Sequence, residues 1–560
     1  MKQVCRAQIL SEDYLDFIVQ YGSGGRQQGD CVINIMDRFE IYYWPRAWRE
    51  LSINNYSYFA IPKLFGLLDT SSMEASGIIA LQNQPILNLS GANVLIGFVD
   101  TGIDYRNPIF LGSDGKTRIA AIWDQADQSG SAPEGFYYGS EYLEGEINEA
   151  LQSENGEQMV PSLDENGHGT FLAGIAAGKM TEDGTFTGAA VDAKIAMVKL
   201  KPAKKYLRDF FFVREDAVAY QENDIMTGLA YLRKLAQRLR LPLVVCVGVG
   251  SNQGGHTGST PLSRVMDDMG ADIGTILVAA AGNETGRSHH YLGMFSQNQE
   301  MEPVEVRVGE GERGFSIEFW AQAPEVYSIA LLSPTGESIP RIPARLGRSE
   351  VASFIFEKSV VYIDYQIVDP ISGSFLIVMR FQDPTPGVWT IQVYNSLLIS
   401  GRYDMWLPME GFLSPDTVFL RPDPYTTLCI PATARQVIST STYNHADGSL
   451  YQHSSRGYTR DDRIKPDITA PGVMVYGPGK DNRFVRKTGS SIAAAHVAGA
   501  AALLLEWAVG LGNRPYINTN DARTFFIRGA DRRPDLVYPN REWGFGTLNA
   551  YQIFDRLRNV

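Results

Sequence analysis

The chain has 560 residues, too many for one ordinary hydrophobic core, so two or three domains are expected. An apolar fraction of 44% with 20% charged residues is globular composition and excludes wholesale disorder. The formal net charge of −13 leaves no dominant basic surface, which argues against nucleic acid as a general partner.

The N-terminal stretch Met1 to Leu10 meets Glu12 and Asp13 before a signal-like apolar run develops, so no classical secretion route is expected. No membrane span is expected either. The longest apolar candidate, Ile492 to Leu505, falls short of about 18 residues, contains His496 and ends at Glu506, which reads as a core helix. Both points favour a cytoplasmic protein. Cys5, Cys31, Cys246 and Cys429 are scattered without a CxxC spacing. Buried reduced thiols are the plain expectation; a disulfide stays open, and no metal or other cofactor is expected.

Residues 1–70 form an aromatic-rich N-terminal segment. Asp16 to Tyr21 and Cys31 to Met36 read as strands with the turn-forming Gly22-Ser23-Gly24-Gly25 between them. An extended apolar stretch from Tyr58-Phe59-Ala60-Ile61 to Leu67-Leu68-Asp69-Thr70 closes the segment. Ser71-Ser72-Met73-Glu74 then matches a capping box, so a helix and a new domain are expected to begin there.

From Val94 onward apolar strands alternate with helices. Leu243 to Val247 and Ile276 to Ala281 are short continuous apolar runs, as expected of parallel strands buried on both faces. Between Asp224 and Pro242 the apolar positions Ile225, Leu229, Leu232, Leu235 and Leu239 recur at helical spacing. The pattern predicts an α/β fold with a mostly parallel sheet. Sites in such sheets lie beyond the carboxyl ends of strands, where Asp100, Gly248 and Asn283 each fall.

Residues 300–428 break the alternation. Val304 to Val308, Phe315 to Phe319, Val361 to Tyr365 and Val388 to Tyr394 have period two and are separated by Pro/Gly turns, which predicts an inserted all-β, jelly-roll-like domain. Its Trp320, Trp389 and Trp406 are read as sandwich core rather than as a carbohydrate-binding face. The α/β pattern resumes at Val437. The expected domains are therefore 1–70, 71–299 with 429–560, and 300–428.

Three short segments carry the chemistry. Val94-Leu95-Ile96-Gly97-Phe98-Val99-Asp100-Thr101-Gly102 is a buried strand ending in an acid. Asn166-Gly167-His168-Gly169-Thr170 sets a histidine between glycines ahead of a small-residue helix, and Gly489-Ser490-Ser491-Ile492-Ala493-Ala494-Ala495-His496 sets a serine at the head of another. Each has an ordinary alternative: a strand end, a structural histidine, a capped Ala-rich helix. Together they supply an acid, a base that titrates near neutrality and a nucleophile. Ile276-Leu277-Val278-Ala279-Ala280-Ala281-Gly282-Asn283 adds a side-chain amide past a strand end, where the alternative is a Gly-Asn turn.

The order Asp, His, Ser with that asparagine segment resembles the subtilisin-like serine proteases, the subtilases, over about residues 70–290 and 430–555. The resemblance implies that Asp100, His168 and Ser491 form the catalytic triad and that Asn283 donates to the oxyanion with the Ser491 backbone N–H. It also implies that Gly248, Gly250 and Ser251, with Gly282, line the strand that pairs with an extended protein or peptide substrate; a flexible loop is the alternative. Residues 1–70 stand where subtilases carry an inhibitory prodomain, so this segment would serve as a bound inhibitor, cleaved near Thr70. Departures from the usual nucleophile motif are Ser490, Ile492 and Ala495 in place of Thr, Met and Pro.

The short N-terminal segment containing Tyr14-Leu15-Asp16-Phe17-Ile18-Val19 and the late β insertion together resemble the Csp-type subtilases. Their best-known members are germination proteases of spore-forming clostridia. That resemblance implies a spore-associated enzyme that cleaves the pro-form of a cortex-lytic hydrolase. The rivals are a pseudoprotease sensor or scaffold, and a Csp-like peptidase with another role.

Overall fold

The structure is a computed structural model that describes residues 2–22, 31–48, 50–67, 76–82, 89–296, 298–345 and 349–557. The Ser71–Glu74 capping box, the Ser23-Gly24-Gly25 part of the first turn and Thr70 lie outside the described residues.

An eight-stranded sheet organises the α/β part. Its spatial order is Ile468–Pro471, Ile438–Tyr443, Thr275–Ala280, Leu243–Val247, Leu95–Asp100, Lys194–Lys199, Ile119–Asp124 and Ser140–Leu143. Every neighbouring pair is parallel except the last, which is antiparallel. Strand residues alternate between two cores: Ile96 and Phe98 join one, Leu95 and Val99 the other. Helices His168–Ala177 and Ser490–Leu505 cover the first face. Glu222–Leu239 and Pro261–Gly270 cover the second.

The Ser490–Leu505 helix has no polar face because it needs none: every residue in it is buried. The helical run extends to Gly510, 21 residues that by length and composition alone are sufficient to cross a bilayer, and so is longer than the sequence reading drew it. Its most apolar window is 89% buried inside the protein, the position of a core helix. The Glu222–Leu239 helix ends as the sequence suggested, with Arg240 capping it in the left-handed region at φ 55° ahead of Pro242.

The N-terminal strands Tyr14–Gln20 and Val32–Ile35 both form, but they are not partners. A third strand, Phe39–Pro45, lies between them and pairs antiparallel with each. Its aromatic run Phe39-Glu40-Ile41-Tyr42-Tyr43-Trp44 is buried almost throughout, which masks the period-two signal.

Antiparallel strands between His290 and Phe419 make two further sheets, of six and five strands. Trp389 packs in the core between them. Trp320 and Trp406 do not; they join the core of the α/β part. The physical reason is that the Gly314–Ala321 strand is buried on both faces, so Trp320 turns outward onto Tyr58 and Phe59 of the N-terminal segment. Trp406 stacks between His256 and His290.

Candidate active site

Three adjacent parallel strands end at one place. Leu95–Asp100 delivers Asp100 as its last residue, Gly248 follows Leu243–Val247, and Asn283 lies three residues past Thr275–Ala280. The other two groups come from helix starts. His168 is the first residue of its helix and Ser491 the second of Ser490–Leu505, so both sit where free backbone N–H groups and positive helix potential concentrate.

The geometry joins them. His168 Nδ1 stands 2.7 Å from Asp100 Oδ1, and His168 Nε2 stands 3.0 Å from Ser491 Oγ. All three side chains are buried. Asp100 Oδ1 also accepts the Thr101 N–H at 2.8 Å, which fixes the carboxylate plane.

Asp164 holds the histidine helix, and sequence reasoning missed it. Its two oxygens accept from Thr101 Oγ1 (2.7 Å), the Gly167 N–H (2.8 Å), the Thr170 N–H (2.8 Å) and Thr170 Oγ1 (2.7 Å). A buried carboxylate at a helix N-terminus meets the end of the dipole that favours it. Thr101 Oγ1 in turn accepts the Gly169 N–H at 2.9 Å, tying the aspartate strand to the histidine turn. The available signal was an acid four residues before His168.

Gly248 is required by space. A Cβ there would come within 2.5 Å of Leu172 Cδ1, 3.0 Å of Asp100 Oδ2 and 3.2 Å of His168 Cε1. Gly282 is required by backbone as well, at φ 111°, where a Cβ would meet Cys429 Sγ at 2.4 Å. Cys429 is a free buried thiol whose pKa is pushed well up by burial first, then by the charge of Glu284.

Ser490 binds the asparagine turn twice. Its N–H donates to Asn283 Oδ1 at 3.1 Å, and its Oγ accepts the Gly282 N–H at 3.1 Å. Oδ1 is thereby the engaged end of the Asn283 amide. The hydroxyl that Ser490 shares with threonine is thus used. Ala495 continues an unbroken helix, and Ile492 is buried.

Glu284, also missed, anchors the next turn. It accepts from Asn252 Nδ2 at 2.8 Å and the Glu410 N–H at 3.2 Å, and lies 2.9 Å from His289 Nδ1. Burial works against its charge, but the His289 contact and these hydrogen bonds outweigh it and hold the carboxyl below its ordinary range.

The strand Val249–Gly250 is paired by the chain itself. Leu64–Leu67 lies antiparallel to it, with Leu67 opposite Val249 and Gly66 opposite Gly250. The same segment pairs on its other side with Tyr220–Gln221. Ser251 faces elsewhere: its N–H and C=O exchange bonds with Ile430 at 3.0 and 2.9 Å.

The family model described as the subtilase family matches residues 91–307 and 423–546. The structure is similar to that of the CspB protease of Clostridium perfringens, with a TM-score of 0.77 and 32% identity over 87% of this chain and 97% of that one. Among curated proteins, the PII-type proteinase of Lacticaseibacillus paracasei is 24% identical over 524 residues, 83% of this chain and 26% of its own. The C5a peptidase of Streptococcus pyogenes is 20% identical over 447 residues, 74% of this chain and 35% of its own. The chain thus spans only about a quarter to a third of the length of these two relatives. The matched ranges, which contain every residue of the acid–base–hydroxyl arrangement, show that the chain belongs to the subtilase family, the subtilisin-like serine peptidases.

Proposed function

We propose that the protein is a serine endopeptidase in which Ser491 attacks the substrate carbonyl and His168 takes its proton. His168 then returns that proton to the leaving amine, while Asp100 holds the ring and offsets the imidazolium charge. Asn283 Nδ2 and the Ser491 N–H receive the oxyanion. Val249–Gly250 offers the edge with which an extended peptide backbone pairs, while Gly248 and Gly282 let the neighbouring side chains pack closely around the reacting groups. The observation that carries this reading is the His168 ring bridging Asp100 and Ser491 at 2.7 and 3.0 Å. A fluorophosphonate probe should label the wild type at Ser491 and leave Ser491→Ala and His168→Ala unlabelled. An unlabelled wild type would return the reading to a pseudoprotease sensor or scaffold.

The functional units of this reading are a prodomain over 1–70, a catalytic domain over 71–299 and 429–560, and an inserted jelly-roll module over 300–428. The antiparallel docking of Leu64–Leu67 supports the first unit's role, because an extended segment in that position is bound as a substrate would be. A peptide bond held next to the nucleophile in cis has a high effective concentration, so cleavage near Thr70 should be first order. Mass spectrometry should find the cut in the wild type and an intact Ser491→Ala chain. Cleavage of both, or of neither, removes autoprocessing.

The likeness to the C. perfringens CspB protease supports a role in activating a spore cortex-lytic pro-enzyme. Incubation of the processed protein with such a pro-form should release its mature hydrolase, and a Ser491→Ala control should not.

A further inference from the structure

The groove that Leu64–Leu67 occupies is not uniform along its length. Leu64 and Phe65 are fully buried, on opposite faces, in the two large cores. Leu67 is half-buried. Gly66, between them, is covered: a Cβ built on it would lie 3.0 Å from both Cε and Sδ of Met409 and 3.4 Å from Phe412 Cε1.

Met409 and Phe412 belong neither to the eight-stranded sheet nor to the strand that Gly66 pairs with. They follow the Arg402–Trp406 strand, in the connection from the six-stranded antiparallel sheet to the Val418–Phe419 strand of the five-stranded one. Both are buried and both belong to the α/β core. The segment is fastened at four points. The Leu407 N–H donates to the His289 carbonyl at 2.9 Å and the Glu410 N–H to Glu284 Oε1 at 3.2 Å. The Phe412 N–H closes a turn onto the Met409 carbonyl at 3.1 Å, and its own carbonyl accepts the Arg214 N–H at 3.1 Å. Glu284 is the neighbour of Asn283, so the segment is tied directly to the oxyanion turn.

We infer that Met409 and Phe412 form a lip over the substrate groove that restricts the residue paired with Gly250 to glycine or alanine, and that they are specificity-determining residues. The inference rests on the reading of this groove as the substrate site. A 3.0 Å approach to the end of a methionine side chain is one that a methyl group can relieve by a small shift. A branched or longer side chain must displace Met409 and Phe412 from a packed core, which costs far more. The groove therefore takes a substrate reading apolar, apolar, small, apolar, as Leu64-Phe65-Gly66-Leu67 does. The insertion is thereby part of substrate selection.

The test has an arm that needs no catalysis. In a full-length Ser491→Ala background, hydrogen exchange of the Leu64–Leu67 amides is followed for Gly66→Ala, Gly66→Leu, Met409→Ala and the Gly66→Leu/Met409→Ala pair. Gly66→Ala should change exchange little. Gly66→Leu should speed it about tenfold or more, and the same change in the Met409→Ala background should speed it less than about threefold. Equal acceleration in both backgrounds overturns the lip. The second arm compares kcat/KM for two peptides, Leu-Phe-Gly-Leu-Leu-Asp and Leu-Phe-Leu-Leu-Leu-Asp. The wild type should prefer the glycine peptide, and Met409→Ala should narrow that preference; turnover without preference also overturns the lip. Coupling in the first arm with neither peptide cleaved leaves the lip standing and sinks the endopeptidase reading instead.

Discussion

Asn283 and Ser490 are joined so that the amide oxygen of one accepts the backbone N–H of the other at 3.1 Å, and this bond aims the amide nitrogen. Asn283→Ala should lower kcat by roughly 10²–10³ with little change in KM, because a transition-state donor is lost while the Ser491 N–H remains. Ser490→Ala should cost less and act through the same step, since it frees the Gly282 N–H but keeps the backbone bond to Asn283. Steady-state kinetics on one peptide decide both. An Asn283→Ala enzyme with full kcat would exclude the amide from oxyanion binding.

Gly248→Ala should cost on the order of a hundredfold in activity while the fold persists, since a displacement of about 1 Å among reacting groups is enough for that loss. The added methyl would press on Leu172, Asp100 and His168 at once. Circular dichroism should be unchanged, and probe labelling of Ser491 should slow in proportion.

Asp16 fastens the N-terminal sheet to the catalytic part. Its buried carboxylate pairs with Lys204 Nζ at 2.5 Å and accepts from Gln221 Nε2 at 3.0 Å and Asn223 Nδ2 at 3.1 Å. Asp16→Ala strands a buried ammonium, a change that typically costs about 3–5 kcal/mol. It should release the N-terminal segment at a lower denaturant concentration than the wild type, read as loss of protection in residues 14–20. Asp16→Asn, which keeps an acceptor for part of the network, should lie between the two.

His496 sets a pH limit. Burial lowers its pKa from the ordinary 6.5 to about 3, against a raising effect from its hydrogen bond to the Ile492 carbonyl. The unfolded chain takes up this proton below about 6.5 and the folded chain does not until about 3. Stability is therefore whole above the unfolded value and falls as pH drops toward the folded one, at roughly 1.4 kcal/mol per unit. Buried His256, lowered to about 4, adds a second such loss over the upper part of the window. Denaturation midpoints between pH 7 and 4 should decline, and His496→Leu should flatten the decline. An unchanged slope in that variant would assign it to other groups.

The parallel strands and the long helix were readable because each is a continuous apolar run or a clean helical period, and neither depends on a distant partner. The positions of Asp100 at a strand end, and of Gly248 and Asn283 just past theirs, were readable for the same reason. Asp164 and Glu284 were not, because a carboxylate that gathers hydrogen bonds from side chains and backbone brought together only by the fold, such as Thr101 to Asp164 and Asn252 and Glu410 to Glu284, looks like any other acid in sequence. Trp320 was assigned to the wrong core because its strand is buried on both faces, so alternation no longer tells inside from outside. Phe39–Pro45 was overlooked for the same cause. The lip over Gly66 is invisible to sequence altogether, since Met409 meets a residue more than three hundred positions away.

The wide spacing of the reacting groups has a consequence for the protein's birth. Asp100 and His168 lie 68 residues apart, but Ser491 follows His168 by 323. At about 5–20 residues per second, a ribosome delivers the nucleophile roughly a quarter of a minute to a minute after the base. Throughout that interval the nascent chain lacks Ser491, while Leu64–Leu67 and the Val249–Gly250 strand it pairs with have both been synthesised. On the proposed reading, the first peptide bond that Ser491 meets would be one of the chain's own, and the order of synthesis would delay activity until the chain is nearly complete. Chains stalled before residue 491 should bind no fluorophosphonate, and full-length chains arrested on the ribosome should already show the N-terminal segment protected.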